Sequence, residues 1–388
     1  MTIAVYGGSF NPPHLGHVEA ARTVAEHLHP DRFLIVPDRT PPHKDLAADS
    51  PTPEERFELC RMAFADIPGV EISDIELRRE GKSYTYDTVR ELRETCPDAD
   101  LMLVIGTDML ACFEQWYQFR CIMANCTLAV LSRAEDDSDE LRLCAQRLRD
   151  SYGAHITVLP HAPVETSSER IRECLGRRAG EDMLPDAVYS EIIRRRFYSA
   201  KPELSWLRGK VLPYIDKGRI AHVTGCETEA VRLAARWGED GELAAEAGIL
   251  HDITKRCGGE EQLNLCRKYG IINDAAERAL PRLLHAKTGA AMARELFGAG
   301  DEVCGAIRWH TTGKPGMSMF EKIIYLADYI EPTRDFDGID ALRALAYEDI
   351  DAAMALGLEM TINEIRSSGT EPYKDTLEAY EWYKEKER

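Results

Sequence analysis

The stretch Met1–Arg22, MTIAVYGGSFNPPHLGHVEAAR, decides how the N-terminal half of this chain is read. An apolar run, TIAVYG, stops at Gly7 and Gly8; Ser9, Phe10 and two prolines follow, and His14 and His17 then open the segment HLGHVEAARTVAEHL. The pattern predicts a β-strand, a glycine turn and an amphipathic helix. At Gly7 and Gly8 the missing side chains let the backbone come close to a ligand. The start of the helix offers unpaired N–H groups and the positive end of its dipole, a seat for phosphate. His14 and His17 stand one helical turn apart and so project to the same side of that seat. There an imidazole N–H can steady the charge that builds on phosphate oxygens during group transfer. The string is not G-x-x-x-x-G-K-[ST], so no Walker lysine is expected. A lone histidine at a helix start would read as a surface polar residue; strand, paired glycines, prolines and two histidines together do not.

Working outward, the same grammar continues to about residue 198. RFLIVP, VEISDIEL, LMLVIG, CTLAVLS and HITVLP are further strand candidates, with helical patterns such as TPEERFELCRMAFADI between most of them. Alternation of this kind predicts a doubly wound parallel sheet covered on both faces, with ligands at the carboxyl ends of its strands. From SWLRGKVLPYI onward the strands stop. TEAVRLAARWG, GELAAEAGILHDITK, AKTGAAMARELFG, EVCGAIRWH and SMFEKIIYLADYI carry helical periods, so the second half reads as all-α. The expected division is residues 1–198, a linker over 199–205 around Pro202, and residues 206–388.

Composition sets the outer limits. The chain has 388 residues, 44% hydrophobic and 30% charged, an ordinary globular composition for two domains. A formal charge of −19 argues against long nucleic acids as partners while leaving room for a small anion in a local basic pocket. No apolar run approaches the length of a membrane span, and the start does not read as a secretory signal, so a cytoplasmic protein without a membrane partner is expected. Eleven cysteines without a C-x-x-C pair suggest reduced thiols rather than a disulfide framework or zinc ribbon. Whether the chain is a homodimer is left open.

The string GGSFNPPHLGH resembles the H-x-G-H signature of the nucleotidyltransferase superfamily, whose members transfer a nucleotidyl group from a triphosphate and release pyrophosphate without a covalent intermediate. Other motifs narrow the resemblance to nicotinate-nucleotide adenylyltransferases. It implies a Rossmann-like fold, with Gly7, Gly8, Ser9 and Phe10 in the phosphate loop and His14 and His17 as catalytic residues. TPPHK supplies Lys44 near the phosphates. SYTYDT, with Tyr84 and Thr85, matches the segment that reads the nicotinate carboxylate. IGTDML supplies Gly106 and Asp108, and EQWYQF supplies Trp116 to stack on the pyridine ring. TSSERIRE resembles the ISSTxIR-type motif, giving Ser167, Ser168 and Arg172 for the phosphates of ATP, used with Mg²⁺. Glu169 departs from the Thr or Ser usual there, and an acid in the first helical turn can instead face solvent. Pantetheine-phosphate and cytidylyl transfer share H-x-G-H, but SYTYDT and QWY favour nicotinate mononucleotide.

After His161 only four histidines remain, and each sits among apolar residues: RIAHVTG (His222), GILHDITK (His251, Asp252), RLLHAKTG (His285) and IRWHTTG (His310); IYLADYIEP adds Asp328. Inward-facing imidazoles and carboxylates need partners or a metal. Histidine and aspartate without cysteine suit iron, manganese or another borderline ion, and six ligands exceed what one tetrahedral ion takes, so two ions are expected. The set resembles HD-domain phosphohydrolases, His285 and His310 fitting the dinuclear branch. The stretch AIRWHTTGKPGMSMFEKIIYLADYIEPTRDFDG is similar to the bacterial symmetrical diadenosine-tetraphosphate hydrolases. That resemblance implies metal ligands at His222, His251, Asp252, His285, His310 and Asp328, Asp252 also being catalytic, and cleavage of diadenosine tetraphosphate to two ADP. Lys255, Thr311, Thr312, Lys314 and Arg334 are candidate phosphate contacts. Rival substrates are a guanosine polyphosphate, a cyclic dinucleotide or a nucleoside monophosphate, and a non-catalytic nucleotide-sensing domain is the rival of another class.

Overall fold

The six apolar runs of the N-terminal half pair into one parallel sheet, in the order β3-β2-β1-β4-β5-β6. The strands are β1 (Thr2–Gly8), β2 (Arg32–Pro37), β3 (Val70–Ile72), β4 (Asp100–Gly106), β5 (Thr127–Arg133) and β6 (Ile156–His161). In register, Val5 of β1 lies between Leu34 of β2 and Leu103 of β4. These inner strands are buried on both faces, which is why they read as continuous apolar runs rather than alternating ones. The chain runs outward from β1 through β2 to β3 and then returns to the other side of β1 for β4. This reversal opens a crevice between the carboxyl ends of β1 and β4, where Gly7, Gly8 and Gly106 lie.

The computed structural model describes residues 1–43, 45–133, 138–162, 164, 166–272 and 274–386. The chain divides into two units, Met1–Lys201 and Pro202–Arg388. In the first, the helix Leu15–Leu28 buries Val18, Ala21 and Val24. The helix Pro53–Ala63 begins with a reciprocal cap: Glu55 N–H donates to Thr52 Oγ1 at 3.2 Å and Thr52 N–H to the Glu55 carboxylate at 2.9 Å. One strand is shorter than the sequence suggested. VEISDIEL pairs with β2 only as Val70–Ile72, and after Ser73 N–H donates to Ile35 O the chain turns away from the sheet. Within SYTYDT, Thr85 begins the helix Thr85–Thr95.

In the second unit the described residues form helices and no strand. The helices Ile220–Trp237 and Gly241–Leu250 meet closely: a Cβ on Gly248 would lie 2.7 Å from Glu227 Cα. Met319–Ile330 buries Phe320, Ile323, Ile324, Leu326 and Ala327, and Ser318 and Glu321 cap its start reciprocally at 3.1 and 2.8 Å. Each fully buried Leu or Ile in this core contributes about 1.5–3 kcal/mol through loss of hydrated apolar surface. The helical period expected to run from Gly241 through Lys255 stops at Leu250. His251 and Asp252 follow in a turn, where the His251 ring bonds back to Gly248 O. All eleven cysteines are free, and no helix among the described residues is long and apolar enough to cross a membrane.

Candidate functional site

At the crevice of the sheet lies a cavity of about 450 Å³. Gly7, Gly8, Ser9 and Phe10 line it from the end of β1, His17 from the following helix, and Tyr84, Thr85, Trp116 and Ser168 from more distant segments. His14 stands at the N-cap of that helix, stacked on His17 with ring centroids 3.7 Å apart, and its backbone N–H donates to His17 Nδ1 at 3.2 Å. Burial pushes the His14 imidazole down to about 4, so it is neutral near pH 7, and its Nδ1 has no hydrogen-bond partner among the described residues. A neutral ring carries one N–H donor, which suits a phosphate oxygen without a buried charge waiting for it. A Cβ on Gly16 would come within 3.1 Å of the His14 ring, which explains the glycine between the two histidines.

The structure gathers some predicted residues and sets others aside. Trp116 lines the cavity while its other side packs on Phe113, centroids 4.9 Å apart. Gly106 caps the short helix Thr107–Ala111, and Asp108 folds back over it; neither lines the cavity. Ser167 is exposed and caps the helix Ser168–Leu175 by accepting from Arg170 N–H. Ser168 Oγ donates to Pro12 O at 3.1 Å and Arg172 Nη1 to Asn11 O at 2.7 Å, so both fasten the segment that carries His14. Glu169 is exposed in the first turn of that helix, where an acid is favourable. Lys44 lies outside the described residues; its neighbour His43 lines the cavity.

Several residues escaped the sequence reading. Asp38 and Glu76 bring carboxylates to the cavity wall. Arg56, fully buried, pairs with Asp38 at 3.1 Å and donates to Asp38 O and to the carbonyls of Ser9 and Arg39, bracing the glycine loop from behind. Burial raises the Glu76 carboxyl, against the Thr88 hydroxyl that donates to it at 2.6 Å. An apolar cavity with two restrained acids favours a ligand that places its anionic part at the helix start and a less charged part elsewhere. The only local hint of Arg56 was a charged residue in an otherwise buried helix position.

In the second unit, helix ends carry the ligands to one point. His222 sits near the start of Ile220–Trp237, His251 and Asp252 just after Gly241–Leu250, His285 first in His285–Phe297, His310 just after Asp301–Trp309, and Asp328 late in Met319–Ile330. They form two sets, His222, His251 and Asp328, and Asp252, His285 and His310. In the first set His222 Nε2 is 3.1 Å from Asp328 Oδ1 and 3.3 Å from His251 Nε2. In the second, His285 Nε2 is 3.1 Å from His310 Nε2. Asp252 spans both: Oδ2 faces His222 and His251 at 3.6 and 3.5 Å, and Oδ1 faces His285 and His310 at 3.4 and 3.6 Å.

Six inward-facing side chains with donor atoms at these spacings fit divalent ions. Bonds of about 2.1 Å in a tetrahedral or octahedral shell put neighbouring ligands about 3–3.4 Å apart. Asp252 Oδ1 is buried and makes no regular hydrogen bond, an orphan acceptor of the kind a cation satisfies. Burial opposes the charge on Asp328, but the His222 hydrogen bond and the other histidines hold its carboxyl well below the usual range. Burial lowers His285 to about 4, keeping it neutral as a ligand must be. Cations surround the centre: Arg219 pairs with Asp252, Arg334 with Asp328 at 2.9 Å, and Lys255 Nζ lies 3.1 Å from His285 Nε2. Thr311 Oγ1 reaches His285 and His310 at 3.2 and 3.1 Å; Lys314 instead pairs with Glu321 at 2.8 Å, and Thr312 bonds to Gly313 O.

Comparison with known proteins agrees with both halves. A cytidylyltransferase-like profile matches residues 5–174 and an HD-domain profile residues 219–333. The chain is 32% identical over 199 residues to a probable nicotinate-nucleotide adenylyltransferase of Lachnoclostridium phytofermentans, covering 50% of this chain and 98% of that protein. It is 40% identical over 178 residues to a symmetrical bis(5'-nucleosyl)-tetraphosphatase of Halalkalibacterium halodurans, covering 45% and 95% respectively. A crystal structure from Clostridium acetobutylicum, described as a predicted HD superfamily hydrolase involved in NAD metabolism, is 34% identical with a TM-score of 0.47, covering 48% of this chain and 100% of that one. Through its N-terminal half the chain belongs to the nicotinate-nucleotide adenylyltransferase family, and through its C-terminal half to the HD-domain family that includes the symmetrical bis(5'-nucleosyl)-tetraphosphatases.

Proposed function

We propose that the chain is a bifunctional enzyme whose domains, residues 1–198 and 206–388, each complete one reaction on small nucleotides. The first joins ATP, carried with Mg²⁺, to nicotinate mononucleotide. A phosphate oxygen of the mononucleotide attacks the α-phosphorus of ATP, the bond to the β-phosphate oxygen breaks, and pyrophosphate leaves with that electron pair. The observation that carries this is the stacked pair His14 and His17 at a helix start, with His17 lining the cavity and His14 buried behind it. Their ring N–H groups would bind the α-phosphate oxygens, on which charge grows toward the transition state. Tyr84, Thr85 and Trp116 would hold the nicotinate ring, with the helix start at Thr85 offering backbone N–H groups to its carboxylate.

The second domain would hydrolyse diadenosine tetraphosphate symmetrically. Water adds to one of the two central phosphorus atoms, the bridging P–O bond between them breaks, and two ADP result after loss of the water's proton. The supporting observation is Asp252 standing between two three-residue ligand sets. His222, His251 and Asp328 would hold one divalent ion and His285, His310 and Asp252 the other, with Asp252 shared. Such ions, iron by preference or manganese, supply positive charge and a water acidified toward neutrality. Arg219, Lys255 and Arg334 would bind and orient the polyphosphate, and Thr311 would fix its register. The test is the purified full-length chain with Mg²⁺, ATP and nicotinate mononucleotide, and separately with diadenosine tetraphosphate, metal content being measured on the same sample. Nicotinate adenine dinucleotide and two ADP are expected. Preference for nicotinamide mononucleotide, or products ATP plus AMP, would overturn the respective half, and cleavage only of guanosine polyphosphates, cyclic dinucleotides or monophosphates would replace the second substrate.

A further inference from the structure

At His222, His251 and His310 the ring nitrogen facing away from the centre is anchored, and at His222 the anchor differs in kind. His251 Nδ1 bonds to Gly248 O at 2.7 Å and His310 Nδ1 to Ile307 O at 2.6 Å, both neutral carbonyls three residues back in the chain. His222 Nδ1 instead meets a carboxylate, Glu331 Oε1, at 3.0 Å across 109 residues. Glu331 is fully buried. Thr333 N–H donates to its Oε2 at 2.7 Å, and the Thr333 hydroxyl donates to Oε1. Arg334 Nε lies 3.7 Å from Oε1. The packing leaves room for this carboxylate and little else, since a Cβ on Gly225, one helical turn from His222, would collide with Oε2.

We propose that Glu331 is a positioning residue that holds His222 in the Nδ1–H tautomer, with Nε2 aimed at the ion shared with His251 and Asp328. An acceptor at Nδ1 forces the proton there and leaves the Nε2 lone pair free to bind metal. A carboxylate acceptor also makes the ring a stronger donor than a carbonyl would. Burying this charge is tolerated because Thr333 and His222 satisfy it. Glu331 does not face the second set, where His310 is anchored on the carbonyl of Ile307, so its effect is confined to one ion of two. The inference rests on the two-ion reading of the centre.

The test titrates metal-free full-length protein with Co²⁺, by calorimetry and visible absorption, and reads the His222 tautomer from ring ¹⁵N chemical shifts. Wild type is expected to take two ions. Glu331→Gln should weaken one of them by about 10–100-fold, leave the other unchanged, and move the His222 ring signals toward the Nε2–H form. Thr333→Val, at an exposed position, should weaken the same ion by a smaller factor and stands as the second variant if Glu331→Gln folds poorly. Adenylyl transfer should be unaffected in both. Equal affinity for both ions in the variants, equal weakening of both, or an unmoved His222 tautomer would overturn the role of Glu331. Wild type that binds fewer than two ions would instead sink the two-ion reading, a failure seen without any variant.

Discussion

Acid should destabilise the first unit through His14. The ring's ordinary value is 6.5 and burial lowers it to about 4 in the folded chain. Between these values the unfolded chain takes up a proton that the folded one refuses, so stability rises with pH and is lost as pH falls. The full difference, about 2.5 units, corresponds to about 3 kcal/mol, present above pH 6.5 and gone below pH 4. From about pH 7.5 to about pH 5 the linkage relation gives a loss of about 2 kcal/mol. With 6% of its surface exposed, His14 is little screened by solvent. The perturbation is His14→Gln, which keeps a polar side chain and cannot titrate. Hydrogen exchange of the Thr2–Gly8 and Asp100–Gly106 strands in the full-length chain, at both pH values, reports the opening free energy of the sheet. Wild type should lose about 2 kcal/mol more than the variant on acidification. Equal losses, or a His14 Cε1–H resonance that titrates near 6.5, would refute the reasoning.

His17→Ala should lower kcat for adenylyl transfer by about 10²–10³-fold with a smaller change in KM, because its partner is charge that develops in the transition state; steady-state kinetics with a larger effect on KM would reverse this. Arg56→Met removes a buried ion pair with Asp38 and the hydrogen bonds to three carbonyls behind the glycine loop, and should cost about 3–5 kcal/mol of stability in urea unfolding, with a raised KM for ATP as the loop loosens. Gly248→Ala drives a methyl group against the Glu227 backbone and should destabilise the helical unit by about 1–3 kcal/mol while weakening metal uptake, since one wedged helix carries His222 and the other leads directly into His251; unchanged melting would show the packing to be looser. Asp252→Ala should abolish diadenosine-tetraphosphate hydrolysis and spare adenylyl transfer, product chromatography deciding both.

Much of this protein was legible one segment at a time. The six strands and the helices between them follow from side-chain period, since a strand buried on both faces and an amphipathic helix each declare themselves within a dozen residues. The H-x-G-H string and the sparse histidines of the second half pointed to their chemistry because rare residue types in apolar surroundings need a partner. Where local pattern misled, the course of the chain decided: β3 ends at Ile72 because the chain leaves β2 after Ser73, and the Gly241 helix ends at Leu250 as His251 turns into the centre.

What the linear chain determined by itself was therefore the kind of each element, the break in grammar between the halves, and the residue types at each candidate site. What the tertiary structure alone decided was which distant groups support them. Arg172 reaches Asn11 across 161 residues, Glu331 reaches His222 across 109, and Arg56 closes on Asp38 and the Ser9 carbonyl from a helix that reads as ordinary. The division of six candidate ligands into two sets, with Asp252 between them, likewise depends on five helix ends meeting in space. Periodicity is a property of neighbours in sequence, whereas the partner of a buried charge is set by chain packing, where burial makes the pairing obligatory and sequence distance carries no information about it.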